Sequence, residues 1–244
     1  MYKQILSNLT GGRRLVIADV HGCLKTMKAL VESKIKLSQK DQLFLLGDYI
    51  NKGKNSAGVL DYIIELIKQN YKLYPLRGNH EQRFLDACHE FKKLKNTSDQ
   101  FPFSTQWKSS LDLLDERGQP QQKYIELLEQ FPYYYELDKF YVVHAGFNFD
   151  SSTPFTDYSS MVLVRNLHSN PTSKVIVHGH QIHQLHEIIH KVKTRSTIIP
   201  LDNGCYKKLS LRNVLRNAFL WRKIGNLCCL NLDTFELLVQ KNID

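Results

Sequence analysis

Leu15-Val16-Ile17-Ala18-Asp19-Val20-His21-Gly22 is a four-residue apolar run that ends in a carboxylate, an imidazole and a glycine. A short apolar run bounded by glycine reads as a buried strand followed by a tight turn. The same construction recurs along the chain. Leu43-Phe44-Leu45-Leu46 leads to Gly47-Asp48, and Tyr74-Pro75-Leu76 to Arg77-Gly78-Asn79-His80-Glu81. Tyr141-Val142-Val143 leads to His144-Ala145-Gly146, and Val175-Ile176-Val177 to His178-Gly179-His180. In open α/β sheets, ligands bind beyond the carboxyl ends of the strands. The five runs therefore predict one sheet edge crowded with Asp, Asn and His, the donor set of a metal-assisted hydrolase.

Residue by residue, the chemistry is specific. Asp19 and His21 lie two apart, so in extended backbone they project to the same side. Asp48 offers two oxygens, enough to bridge a pair of ions. Asn79 brings a carbonyl oxygen, and His144 and His180 bring ring nitrogens. Mixed nitrogen and oxygen donors without thiolate suit manganese, iron or zinc better than an all-oxygen magnesium or calcium cage. Two such ions about 3.5–4 Å apart clamp a phosphate and turn a shared water into a hydroxide nucleophile at neutral pH.

Together these motifs resemble the ordered signature of the calcineurin-like metallophosphoesterases. The flanks Gly22-Cys23, Leu76-Arg77, Val143-His144-Ala145-Gly146-Phe147 and Leu201-Asp202-Asn203-Gly204-Cys205 are similar to its phosphoprotein-phosphatase branch. That branch includes bacterial and phage serine/threonine phosphatases and the symmetrical diadenosine tetraphosphatases. The resemblance covers about residues 14–239. It implies an α/β fold with a central β-sandwich flanked by helices, and a centre of two divalent ions, manganese favoured over iron or zinc. Asp19, His21 and Asp48 would hold the first ion; Asp48 would bridge to the second, completed by Asn79, His144 and His180. His80 would be the general acid, and Arg77 and Arg165 would grip phosphate oxygens.

One departure bears on mechanism. Where the branch reads Gly-Asp-x-Val-Asp-Arg-Gly, this chain has Gly47-Asp48-Tyr49-Ile50-Asn51-Lys52-Gly53. Asn51 can accept a hydrogen bond from His80 through its amide oxygen, but it has no charge to favour an imidazolium. Lys52 keeps a positive charge near phosphate and loses the bidentate fork of arginine. The expected enzyme is a phosphomonoesterase for phosphoserine or phosphothreonine in proteins, or for a phosphorylated small molecule, with a weakened acid. The alternatives are a dinucleoside polyphosphate hydrolase and a metal-retaining binding protein with little turnover.

Composition sets looser bounds. At 244 residues and 42% hydrophobic, the chain can bury one sizeable core. It is expected to form a single domain over 1–244, with a helical insertion at about 90–135 and a basic insertion at about 206–224. No apolar run reaches the roughly 20 residues needed to span a bilayer. Five cysteines without a CxxC pair fit reduced thiols, hence a cytoplasmic location. Cys228 and Cys229 are expected as apolar fillers in a strand.

Ser56 is expected as the N-cap of a helix whose apolar positions Val59, Leu60, Ile63, Leu66 and Ile67 follow helical spacing, and a shorter helix is expected around Met27, Leu30 and Val31. In the insertion, Leu111, Leu114, Ile125, Leu128 and Phe131 are expected to face inward, and Tyr133-Tyr134-Tyr135 to wall the core. The net charge of +9 is scattered without an aromatic-basic stripe, which argues against nucleic acid. The exception is Tyr206 to Lys223, with Lys207, Lys208, Arg212, Arg216, Arg222 and Lys223 and no acid. That segment reads as a basic rim able to steer acidic substrates. His183, His186 and His190 are expected at the surface.

Overall fold

The computed structural model describes residues 3–6, 11–94, 103–207 and 224–244. Its strands form two five-stranded sheets. One runs in the order β10 (Leu237–Lys241), β9 (Asn226–Asn231), β2 (Arg14–Ile17), β3 (Gln42–Leu45) and β4 (Lys72–Pro75). The other runs β1 (Lys3–Ile5), β5 (Tyr134–Glu136), β6 (Phe140–Val143), β7 (Val175–His178) and β8 (Ile198–Pro200). β2, β3 and β4 are mutually parallel, and so are β6, β7 and β8. The apolar runs read from the sequence all lie on these strands, so their polar ends emerge at matching sheet edges.

Side chains alternate across a strand, and here each face has its own core. Leu15, Ile17, Leu43 and Leu45 point into a layer shared with the helices. Val16, Phe44 and Leu230 point the other way and meet Val142, Val177 and Ile199 of the second sheet, closing the sandwich. Beyond that sheet, Tyr134, Tyr141, Val143 and Ile176 pack under Phe147, Met161 and Val162. Cys228 and Cys229 are buried on opposite faces of β9 as small fillers, and all five cysteines are free and buried. Among the described residues no helix is long and apolar enough to cross a membrane.

The helices follow the strands. After β2 comes α1 (Leu24–Lys28), which runs on into a π-helical stretch, Ala29–Ile35, burying Met27, Leu30 and Val31 as expected. After β3 comes α2 (Ser56–Lys68), and after β4 comes α3 (Asn79–Leu94). Between α3 and β5 come α4 (Phe103–Gln106), a 3-10 turn at Leu111–Leu113 and α5 (Gln122–Glu129). Later come α6 (Tyr158–Leu163) and α7 (Leu185–Lys193).

Three expectations need correction. The N-cap of α2 is Asn55, whose side chain accepts from the Gly58 N–H at 2.8 Å; Ser56 is instead drawn into a buried side-chain network. Ile67 is exposed while Tyr62 takes the inward position, because that helix face is one step rotated. Leu111 is also exposed, although Leu114, Ile125, Leu128 and Phe131 are buried. The tyrosines 133–135 are core, as expected. Lys208, Arg212, Arg216, Arg222 and Lys223 of the basic segment lie outside the described residues.

Candidate metal centre

Asp48 sits at the middle of the converging strand ends, and its two carboxylate oxygens face different partners. Oδ2 lies 3.4 Å from His21 Nε2 and 3.9 Å from His80 Nε2. Oδ1 lies 3.5 Å from His144 Nε2 and accepts the His80 N–H at 3.1 Å, in the first turn of α3. Asn79 Oδ1 is 3.1 Å from His144 Nε2 and 3.0 Å from His180 Nδ1. Asp19 Oδ2 accepts the His180 N–H at 2.9 Å. The structure thus brings Asp19, His21, Asp48, Asn79, His80, His144 and His180 together. The donor atoms of His21, Asp48 and His80 fall within 4.8 Å of one another, as do those of Asp48, His144 and His180.

Backbone carbonyls fix the imidazole tautomers. His21 Nδ1 faces Ile50 O at 3.0 Å and His144 Nδ1 faces Leu46 O at 2.7 Å. A carbonyl only accepts, so each Nδ1 carries the proton and each Nε2 turns a lone pair towards Asp48. Histidines that bind metal are held in this way. Lone pairs facing carboxylate oxygens are acceptors facing acceptors, an arrangement that a cation between them resolves. Asp19 Oδ1 and His180 Nε2 are buried with no hydrogen-bond partner. Both belong to the expected ligand set, and an ion is what such orphaned atoms fit.

Electrostatics agree. Asp19, Asp48, Glu81 and Asp202 are all buried. Burial, and then the nearness of Asp202 and Asp48, pushes Asp19 well above the carboxylate range. Burial carries Asp48 up to about 7 and Asp202 to about 6. The histidines move the opposite way: burial lowers His80 and His180 to about 3 and His144 to about 4. Neutral imidazoles beside strained carboxylates form a site ready for divalent cations.

Close packing makes the convergence possible. A Cβ on Gly179 would stand 2.0 Å from Asp19 Oδ1, and one on Gly78 would stand 2.3 Å from Asp48 Oδ1. Several residues without glycine's freedom hold left-handed φ here: His21 (47°), Asp48 (52°), Asn51 (68°), Lys52 (65°), Ser110 (47°) and His180 (64°). Such strain persists only where surrounding contacts over-determine it, and it clusters at functional sites.

The second ring of residues contains what sequence reasoning missed. Glu81, fully buried, accepts the N–H groups of Asp48 and Gly78 through Oε2 and that of Tyr49 through Oε1, clasping the Asp48 turn to α3. Asp202, quoted among the family-like flanks but given no role there, ends a sixth apolar run, Ile198-Ile199-Pro200-Leu201. Arg83 is exposed one turn beyond His80, and its charge helps to lower the pKa of His80 and His180. Residues three and four apart share a helix face, so Arg83 stands on the face of Asn79 and His80. Tyr206 packs edge-on against His21 at 5.0 Å, with Lys52 Nζ over its ring at 4.7 Å.

The remaining expected residues divide. Lys52 is exposed at the rim and its charge acts on His21, His80 and Asp48. Arg165 is exposed just after α6, and its charge acts on His180. Arg77 is different. Its guanidinium donates to Leu128 O, Glu129 O, Gln82 Oε1 and the Tyr133 hydroxyl, holding the end of α5 against α3. Those bonds engage both terminal nitrogens, while the buried Nε has no hydrogen-bond partner. Asn51 meets His80 with the opposite polarity from that expected. Its Nδ2 lies 2.8 Å from His80 Nδ1, while its Oδ1 accepts from the Ser110 hydroxyl at 2.6 Å.

Comparison with known proteins agrees with this geometry. A family model described as calcineurin-like phosphoesterase matches residues 12–213. The symmetrical bis(5'-nucleosyl)-tetraphosphatase of Ectopseudomonas mendocina (strain ymp) is 32% identical over 79 residues, 32% of this chain and 28% of that one. The corresponding protein of Hamiltonella defensa subsp. Acyrthosiphon pisum is 38% identical over 84 residues, 34% and 29% of the two chains. The matched region thus spans less than a third of those curated relatives. Among solved structures, a putative diadenosine tetraphosphatase aligns at TM-score 0.67 and 18% identity, covering 98% of this chain and 96% of that one. A Saccharomyces cerevisiae serine/threonine phosphatase aligns at TM-score 0.58 and 14% identity, covering 100% and 84%. At such identities the likeness is one of fold.

Proposed function

The chain belongs to the calcineurin-like phosphoesterase family, and we propose that it hydrolyses phosphoanhydrides of the dinucleoside polyphosphate class at a two-metal centre. Asp19, His21 and Asp48 would hold one ion, and Asp48, Asn79, His144 and His180 the other. Bound there, divalent ions, manganese in the first instance, supply Lewis acidity and a nucleophile drawn from water. Lys52, Arg83 and Arg165 stand at the rim where anionic phosphate enters, and their charges favour its approach. Arg77 is read as holding α5 and not as a phosphate clamp.

The observation that carries the choice of substrate is the contact between Asn51 and His80. With Asn51 donating to Nδ1, His80 presents an N–H from Nε2 and holds no extra proton to give away. Such a ring can donate a hydrogen bond to a leaving oxygen but is a poor general acid. A serine alkoxide must be protonated as it departs, whereas a nucleoside diphosphate leaves as a stabilised anion. The short alignments with symmetrical nucleosyl-tetraphosphatases support the same reading. Phosphoserine or phosphothreonine in proteins, expected from the flanking motifs, is the second reading, and it asks of His80 the proton that this contact withholds.

The manganese-loaded protein, assayed on diadenosine tetraphosphate and on a phosphoserine peptide, separates the readings. We expect kcat/KM to favour the nucleotide by about tenfold or more. Faster phosphate release from the peptide overturns the proposal, and turnover of neither points to a metal-retaining binding protein.

A further inference from the structure

We infer that Ser110, contributed by the helical insertion, is a positioning residue that holds the Asn51 amide the right way round and thereby fixes the tautomer of His80. Ser110 lies 59 residues from Asn51 in sequence, and it reaches the centre because the turn that carries it docks on the start of α2. There Asp112 Oδ2 accepts the Ala57 N–H at 2.7 Å. The Ser110 hydroxyl is a hub. It accepts the Asn51 backbone N–H at 2.8 Å, lies 2.7 Å from the Ser56 hydroxyl, and donates to Asn51 Oδ1 at 2.6 Å. Ser56 Oγ in turn accepts the Asn51 N–H at 3.0 Å.

Counting protons decides which way the amide faces. With Oδ1 towards Ser110, the Ser56 hydroxyl donates to Ser110, Ser110 donates to Asn51 Oδ1, and Asn51 Nδ2 donates to His80 Nδ1. Every hydroxyl proton has an acceptor. With the amide reversed, its NH2 would donate to Ser110, whose proton would pass to Ser56. The Ser56 proton would then have no acceptor among the described residues, and Ser56 is only 1% exposed. A buried donor left unpaired is costly, and the only other outlet is solvent at the half-buried Ser110, so within the protein the two hydroxyls favour the orientation in which Asn51 donates. The His80 proton is then placed on Nε2, 3.9 Å from Asp48 Oδ2, facing the centre. A carboxylate at position 51 would have no orientation to choose, so the need for Ser110 is tied to the asparagine. The left-handed φ of 47° at Ser110 fits a residue held in place for its side chain.

The inference deepens the proposed function, on which only its kinetic arm depends. The first test is independent of turnover. In the zinc-loaded protein labelled with 15N-histidine, the His80 ring should show the Nε2–H pattern. Ser110→Ala and Ser110→Gly should both shift it towards a mixture of tautomers, the glycine variant excluding backbone strain as the cause. An unchanged His80 pattern in both variants overturns the inference. The second test compares an alkyl phosphate with a nitrophenyl phosphate. Ser110→Ala should lower kcat about twofold, the loss expected of an even mixture of tautomers, on the alkyl ester, with little change in KM or on the aryl ester. The same substitution in an Asn51→Asp background should have no such effect. An equal loss on both esters, or the same loss in the Asn51→Asp background, overturns the inference. If the wild type turns over neither ester with manganese or zinc, the phosphoesterase reading fails and the nitrogen spectrum alone decides the role of Ser110.

Discussion

Asn51 and His80 sit 2.8 Å apart, and one atom at position 51 decides what kind of donor the histidine is. An aspartate would accept from Nδ1 and stabilise a charged ring; the asparagine amide donates, which opposes one. Asn51→Asp should therefore raise kcat on phosphoserine peptides and change kcat on diadenosine tetraphosphate or aryl phosphates little. General-acid help is typically worth about 10²–10⁴-fold, so even partial recovery is measurable. Equal change on both substrate types would show that another group supplies the proton. Arg83 calls for a different measurement. Exposed on the face of α3 that carries Asn79 and His80, it stands where its charge would attract an incoming phosphate. Arg83→Gln should raise KM several-fold for a polyphosphate, with kcat nearly constant, and the difference should shrink in high salt as screening grows. A fall in kcat at constant KM would place Arg83 in the chemistry instead.

At the scale of elements, strands delivered what the sequence promised and the surrounding turns did not. The apolar runs were legible because burial on both faces leaves a continuous hydrophobic signal, and each ended where its ligand-type residue begins. The helical insertion carries no such period. Its decisive residue, Ser110, is one serine in a polar stretch, and only tertiary docking through Asp112 and Ala57 brings it to the centre. Arg77 shows the same competition between motif and tertiary contact. Its motif places it at a strand end, but the carbonyls of Leu128 and Glu129 compete for its guanidinium, and cations at a helix carboxyl end are favoured. Elements are also joined by Asp41, buried at the entry to β3. Its carboxylate accepts the Arg13 side chain at 2.7 Å, the Arg13 N–H at 2.9 Å and the Ser38 N–H at 2.9 Å. Burial acts to raise the Asp41 pKa, but these bonds outweigh it and hold the group below the usual carboxylate range. A depressed folded-state pKa stabilises the fold above the unfolded value near 4 and loses that contribution as pH falls through the folded one. Asp41→Asn should cost about 2 kcal/mol at pH 7. The gap between variant and wild type should narrow below about pH 4 in urea melts. A gap independent of pH would mean that the charge of Asp41 adds nothing.

For the whole molecule, the sandwich is assembled around a liability. Asp19, Asp48 and Asp202 are buried together; burial raises the pKa of each, Asp202 further raises Asp19 and Asp48, and Asp48 raises Asp19. Both sheets deliver them, β2 and β3 from one and β8 from the other, so repulsion there acts directly against closing the sandwich. Divalent cations would reverse the sign of that interaction and join the sheets. A ligand that binds only the folded state stabilises it by about 2.7 kcal/mol at a hundred times its Kd. For a chain of this size, 1 kcal/mol moves Tm by roughly 2–4 °C, so saturating manganese should raise Tm by about 5–10 °C. Asp48→Asn supplies the contrast. It removes one buried charge while the amide oxygen can still accept the His80 N–H, so the metal-free variant should melt no lower than the metal-free wild type. It should also bind less manganese, gain little Tm from it and lose turnover, because the carboxylate that faces both donor groups is gone. Calorimetric melts with and without manganese, beside metal analysis of the dialysed proteins, read all three quantities. A metal-free Asp48→Asn that melts well below wild type would show that the Asp48 charge supports the fold by itself. Full manganese content with normal turnover in that variant would remove Asp48 from the bridge between the two groups.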